Sequence, residues 1–419
     1  MINLDLNWHW VRDRFLFILP ILCLAFYLVV WVHWVVTSSS YYNPHAGRPL
    51  GGDFSYCWSA ALLALSGEPE AVYDFSRLAA MELAHFQVKA LLPWLYPPTY
   101  LLLVLPFGLL PYHAALAVWL STSLTGYLFI IRRIAPHPRV LWFTLAFPAI
   151  FMNLFYGQNG FLSGIFLGGG LLLLDRSPWG AGLLLALLTY KPHLAVLVPV
   201  ALVAGRRWKA LLAMLAWTAA LFLATALALG TQVWIAFFNH IYTAMKTLEA
   251  GGLKIFWIMS SAFAAVLLGG GGVVSARILQ GAAMLIAAAF VVWVWRREAA
   301  PPIRNAALVL GILLFIPYGY VYDLTLLALP LAWLGWEGFT RGWLPGEKTC
   351  LLLGWLAPLV LPLLAMTTHV QIFPLVLMAL MFLVLRRTVR ESPSLTAHLE
   401  MTGQNSGNSE KEASPFPSL

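Results

Sequence analysis

The chain has 419 residues, of which 61% are hydrophobic and only 10% charged, with a mean hydropathy of +0.81. No soluble globule hides that much apolar surface, so composition excludes a soluble domain and points to a polytopic membrane protein. The net charge of +8 comes mainly from Lys and Arg in short loops and reads as topology; without a basic, aromatic-interleaved patch, nucleic acid is not an expected partner.

The first apolar stretch, Phe15 to Val36, exceeds the core of a signal peptide and matches a spanning helix of about 20 residues. Arg12 and Arg14 precede it, and Arg386, Arg387 and Arg390 follow the last apolar stretch, so the positive-inside rule places both termini in the cytoplasm. The loop over residues 37–96 then lies outside. It carries Gly51-Gly52-Asp53-Phe54, followed by two amphipathic segments, Phe54 to Leu65 and Phe75 to Val88, parted by the turn composition Ser66-Gly67-Glu68-Pro69. Both segments suit helices lying along the membrane surface.

Residues 99–110 are short for a span and read as re-entrant or interfacial, whereas 113–131 cross to an inner Arg132, Arg133 and Arg139. Spans near 140–155 and up to Leu174 flank an outer Gly157-Gln158-Asn159-Gly160, and Asp175-Arg176 returns inside. Two short helices, 178–190 and 192–204, hinge at Lys191-Pro192-His193, where proline breaks the helix, and end in an inner Arg206-Arg207-Trp208-Lys209. After a span over 210–229, residues 230–272 read as a second outer loop touching the membrane, because a crossing there would put Arg296, Arg297 and Arg304 outside. Spans over 273–295, 303–317, 323–337, 349–366 and 370–385 bring the total to about 12 crossings, with Tyr318, Tyr320, Tyr322 and Asp323 outside between two of them. The chain thus divides into a transmembrane domain over 1–387 and a Ser/Pro/Gly/Asn-rich, disordered cytoplasmic tail over 388–419. Cys23, Cys57 and Cys350 are scattered, which argues against a disulfide framework, and no CxxC or His/Cys cluster suggests a metal.

On this topology the polar stretches converge on the outer leaflet, and each admits two readings. Asp53 is either a general base for a sugar hydroxyl or the N-cap of the helix at Phe54; a lost cap costs about 1 kcal/mol, a lost base about a hundredfold to ten-thousandfold in rate. Lys191 either meets a phosphate, since a lysine at helix depth needs a cavity or partner, or snorkels to the interface. His193 donates to the same phosphate or packs. Gln158 and Asn159 bond sugar hydroxyls or cap two helix ends. Asp323, with Tyr318, Tyr320 and Tyr322, binds an acceptor sugar or sits in an interfacial aromatic belt. Gly269 to Gly272 lacks the ending of a phosphate-binding loop, and no nucleotide-binding pattern follows a strand. A sugar donor used here must therefore arrive already activated, outside, and tethered to lipid.

Taken in order, Gly52-Asp53-Phe54, the stretch from Tyr156-Gly157-Gln158-Asn159-Gly160 to Leu174, the run from Gly180-Ala181-Gly182 to Lys191-Pro192-His193, and Tyr322-Asp323 resemble glycosyltransferase family 87, over most of the chain up to about Arg387. The resemblance implies an all-α C-type membrane glycosyltransferase fold, membrane-parallel helices in the first outer loop, and an outward-facing cavity. It also implies inverting transfer of a hexose, mannose first, from a polyprenyl-phosphate sugar to a lipid or glycan acceptor at a bacterial plasma membrane, for envelope glycolipids. Asp53 matches the family's outer-loop catalytic aspartate, Lys191 the lysine of its Lys-Pro motif and Asp323 its late acidic position. The chain departs from the family at the late motif, offering tyrosines where members place a histidine. With a phosphate as leaving group and Lys191 to stabilise it, no metal or other cofactor is required. Two other classes compete: a transporter or flippase, opposed by the missing internal repeat and the one-sided polar groups, and a non-catalytic subunit of an envelope assembly.

Overall fold

A computed structural model describes residues 8–37, 42–43, 48–86, 91–250 and 256–390. The expected tail over 391–419 lies outside the described residues, as do parts of both expected outer loops. The described chain is helical apart from one antiparallel pair, in which Tyr42 faces Pro49 and Asn43 faces Arg48. Five helices contain stretches long and apolar enough to cross a membrane, within Ile18–Thr37, Tyr112–Ile134, Trp208–Leu229, Val273–Arg296 and Glu347–Thr368. A bent pair, Arg139–Leu145 and Pro148–Tyr156, makes a sixth if it is one span. The remaining apolar helices are shorter, so fewer full-length spans stand out than the 12 that the alternation suggests.

Proline sets many of these helix starts. Pro98, Pro148, Pro178, Pro192 and Pro301 each occupy the first turn, where a missing N–H costs nothing and the fixed φ favours the helix. The hinge at Lys191 forms as expected, between a 3-10 turn over Leu188–Tyr190 and the helix from Pro192. The span expected near 140–155 is bent by 53° between Leu145 and Pro148.

The outer-loop helices differ from expectation in two further ways. The segment Phe54–Leu65 is a 12-residue helix, but ten of its residues are buried, so it is a core element and offers no apolar face to lipid. The Phe75–His85 helix is one-sided as expected, burying Leu78 and Glu82. Its N-cap is Asp74, which accepts from the backbone of Ser76 and Arg77, and bonding from the Ser76 side chain holds its carboxyl below the usual carboxylate range. In the second loop, Gln232–Ala250 is a 19-residue helix where only a membrane-touching loop was expected. Phe237 on that helix meets Tyr73 edge-on at 5.7 Å, so the segments expected as the two outer loops pack together.

The ends of the helices sort by charge. Asp175 pairs with Arg304 and, at 3.0 Å, with Arg207, joining two loops and the first turn of the Pro301–Phe315 helix, all of which the sequence assigns to the same side. Glu347, fully buried, takes a two-pronged bond from Arg387 at 2.5 and 2.6 Å, which fixes the last helix against the start of the one before it. That last helix runs on to Arg390. One continuous apolar core reaches from Phe54 to Val384, while Leu212, Leu223, Leu227 and Leu285 project from the long helices, as lipid-facing side chains do.

Candidate active site

The site is built on two interlocking turns. Gly51 (φ +81°) and Gly52 (φ +45°) turn the chain into the Phe54–Leu65 helix, and Gly157 (φ +62°) ends the Pro148–Tyr156 helix in the left-handed conformation. A side chain at Gly157 would run into the Gly51 carbonyl, and one at Gly52 would press on the Tyr156 backbone at 3.3 Å. The Asp53 amide donates to the Tyr156 carbonyl at 2.9 Å. Glycine is required because the two backbones touch. Aromatic side chains tie the turns to the long helix behind them: Tyr112 donates to the Leu50 carbonyl at 2.5 Å and Trp119 to that of Gly157 at 3.1 Å.

Asp53 stands at the start of its helix yet makes no side-chain cap bond. Its Oδ2 instead accepts from Gln158 Nε2 at 2.6 Å. The capping reading is thereby set aside. Asn159 likewise makes no cap bond for the Gly160–Leu173 helix; that task falls to Asn153, whose Oδ1 accepts from the Gly160 amide at 2.8 Å and whose Nδ2 donates to the Gln158 carbonyl at 3.0 Å. Asn159 Nδ2 donates to the Tyr96 hydroxyl at 3.0 Å, while its buried Oδ1 has no hydrogen-bond partner among the described residues.

Lys191 is only 3% exposed and donates to Asp323 Oδ1 at 2.6 Å, the carboxylate side chain being 2% exposed. This overturns the snorkelling reading. A buried ammonium needs such a partner, and the pair spends only one of its three N–H donors. Asp323 Oδ2 accepts from the Tyr320 amide at 3.2 Å, and Lys191 Nζ lies 5.3 Å from the centre of the Tyr322 ring. Pro192 and the non-helical backbone at Lys191 (φ −119°, ψ 82°) free the lysine from a regular helix, and Asp323, the first residue of a 3-10 turn, is buried.

These pieces meet. A side chain at Gly160 would collide at 2.5 Å with both the Tyr322 carbonyl and Thr325 Oγ1, so the 157–160 turn lies directly on the Tyr322 turn. Tyr156 meets Tyr322 edge-on at 6.4 Å, and Tyr322 stacks on Tyr320 at 5.3 Å. The Tyr190 hydroxyl, next to Lys191, donates to the Asn159 carbonyl at 3.0 Å. The structure therefore brings together Asp53, Gln158, Asn159, Lys191, Tyr322 and Asp323. His193 is exposed and lies within electrostatic reach of Lys191 and Asp323. Tyr318 turns away, edge-on to Phe263 at 5.6 Å in a separate small core. That core belongs to the second loop, where the Ser260 amide donates to the Gly319 carbonyl at 2.8 Å and the Val321 amide to that of Ile258 at 2.9 Å.

Sequence reasoning missed four contributors. Glu82, 4% exposed, lies 2.7 Å from Ser55 Oγ, which also sits 2.9 Å from the Gly52 carbonyl. Its signal was available: it follows Leu78 by four residues and so shares the buried stripe of that helix. Asn153 is an amide inside an apolar run, which marks a group needing partners. Tyr96 and Tyr190 belong to a nest of rings with Tyr100, at 4.3 and 5.0 Å from it, and carried no signal beyond composition. Among the described residues, no group of three or more His, Cys, Asp or Glu could hold a metal ion.

The arrangement sets a half-buried carboxylate with an amide donor beside a buried, paired ammonium, and so can accept a proton and stabilise an anion within one cluster. Compared with known protein families, residues 94–317, just over half of the chain, match glycosyltransferase family 87. The match holds Gln158, Asn159, Lys191 and His193 and is narrower than the stretch up to Arg387; Asp53, Tyr322 and Asp323 lie outside it and join it through the contacts above. No curated protein and no solved structure matches the chain.

Proposed function

Because the chain belongs to glycosyltransferase family 87, and is therefore a membrane glycosyltransferase, we propose that it moves a hexose, mannose first, from a polyprenyl-phosphate sugar to a lipid or glycan acceptor at the outer face of the membrane. The observation that carries this reading is the Asp53 carboxylate, unspent on capping and held at 2.6 Å by Gln158, a residue of the family-matched stretch.

In the proposed reaction the acceptor hydroxyl oxygen attacks the anomeric carbon and its proton passes to Asp53. The bond from that carbon to the phosphate oxygen breaks, and polyprenyl phosphate leaves with inversion. The remaining N–H donors of Lys191 meet the charge growing on the phosphate, with His193 at its exposed edge. Asp323 holds Lys191 in place. Gln158 and Asn159 face the sugar, Tyr322 and Asp323 the acceptor. A C-type fold of about 12 crossings, reached by counting shorter and broken helices with the long ones, belongs to the same proposal, as do cytoplasmic termini.

A transporter would share the helices and the buried polar groups, but family membership favours transfer chemistry. Purified protein in proteoliposomes, given radiolabelled polyprenyl-phosphate mannose and a membrane lipid extract, should yield a labelled covalent product. Lipid-linked label crossing the bilayer with no covalent product would overturn the proposal.

A further inference from the structure

A cleft outside the Asp53 cluster opens where the segments expected as the two outer loops meet. It has a volume of about 410 Å³, within the usual range for ligand pockets, and lies between residues 70–75 and the Gln232–Ala250 helix. Its polar lining is Glu70, Asp74, Asn239 and His240, its rings are Tyr73 and Phe75, and among the described residues no Lys or Arg lines it. Asp74 accepts from Ser76 and Arg77 on Oδ1, which leaves Oδ2 for a ligand, and the Glu70 and Asn239 side chains are exposed. His240 Nε2 is buried without a hydrogen-bond partner among the described residues, a cost that a ligand group bonding there removes. Burial pushes the His240 imidazole below its ordinary value, against the pull of Asp74, so at neutral pH it is uncharged and can both donate and accept.

The cleft adjoins the site already described. Tyr73 is buried and donates to the Tyr96 carbonyl at 2.9 Å, and the Tyr96 hydroxyl accepts from Asn159 at 3.0 Å, so Tyr96 links the cleft to the Asp53 cluster. The lining narrows what can bind. Two carboxylates without a cation repel phosphates and other anions, two rings and Ala236 offer too little apolar wall for an acyl chain, and among the described residues no group of three or more His, Cys, Asp or Glu could hold a metal ion. A sugar fits what is left, since its hydroxyls donate to carboxylates, bond to an amide and an imidazole, and flank a C–H face that packs on a ring such as that of Phe75, which is 44% exposed.

We propose that this cleft binds a neutral oligosaccharide, the inner sugars of the acceptor, with one sugar face on Phe75 and hydroxyls on Glu70, Asp74, Asn239 and His240. The inference rests on reading the Asp53 cluster as a sugar-transfer site, and it narrows the acceptor to one that carries more than one sugar.

Saturation-transfer NMR of the purified full chain in a sugar-free detergent, titrated with mannotriose or maltotriose and with mannose or glucose, tests the cleft directly. No donor is present, so failure here leaves the transfer reading standing, and failure of transfer leaves the titration readable. The better trisaccharide should bind at least about fivefold tighter than its monosaccharide, the equivalent of one further hydrogen bond. Asn239→Ala and Phe75→Ala should each weaken it by about fivefold with melting temperatures near that of the wild type, and Phe75→Trp should restore binding by keeping a ring. Neither trisaccharide binding more tightly than its monosaccharide, undiminished binding in both alanine variants, or no recovery in Phe75→Trp would each overturn the assignment.

Discussion

At the scale of single residues, the structure removes some of the alternative readings that the sequence allows. Asp53 and Asn159 precede helices and have the chemistry of caps, but Asn153 caps the helix that follows Asn159, and Asp53 makes no cap bond and is turned to Gln158. No local pattern announces this, because it depends on which turn lies against which. The lysine is a different case. Burial at 3% exposure beside Asp323 makes the pair costly to break, so Lys191→Ala should destabilise the protein by about 3–5 kcal/mol in equilibrium unfolding in detergent. Lys191→Met combined with Asp323→Leu should recover most of that stability, since two apolar side chains need no partner. The double variant should still lack transfer activity if the ammonium serves the reaction. An active double variant would reduce the pair to a structural device.

At the scale of elements, the glycine turns join one half of the site to the other. Gly157→Ala should cost more than about 1 kcal/mol, because a left-handed φ of +62° and the Gly51 carbonyl both oppose a side chain. Gly67→Asn, at φ +94° with open space around it, should cost less; thermal unfolding of the two variants checks the contrast. Element ends were legible where punctuation was strong: the helix over Phe54–Leu65 runs between Gly51-Gly52-Asp53 and Ser66-Gly67 as the sequence suggests, and Pro192 ends the preceding turn at Lys191. The bend at Pro148 was readable from the same proline rule but was hidden by an unbroken apolar run. The Gln232–Ala250 helix was obscured because Asn239, His240, Lys246 and Glu249 lower its hydropathy, although its surface packs on the first outer segment. Glu82 was lost within a helix whose other polar residues face outward.

At the scale of the whole molecule, hydropathy and the placement of Arg gave the class and the sorting of loops, while lengths of individual spans depended on packing that a sequence does not display. Asp175, Arg207 and Arg304 gather at one end, and the Asp53 cluster is built from loops assigned to the other. In sealed vesicles of native orientation, after replacement of Cys23, Cys57 and Cys350, a cysteine at Gly67 should react with an impermeant maleimide from outside. A cysteine at Gly342 should react only after permeabilisation; the reverse pattern would invert the topology. The central claim, that this membrane glycosyltransferase uses Asp53 to take the acceptor proton, is tested most directly by turnover of purified Asp53→Asn with a labelled polyprenyl-phosphate sugar. The account predicts a folded, donor-binding protein whose rate falls by about a hundredfold to ten-thousandfold, and turnover close to that of the wild type would contradict it.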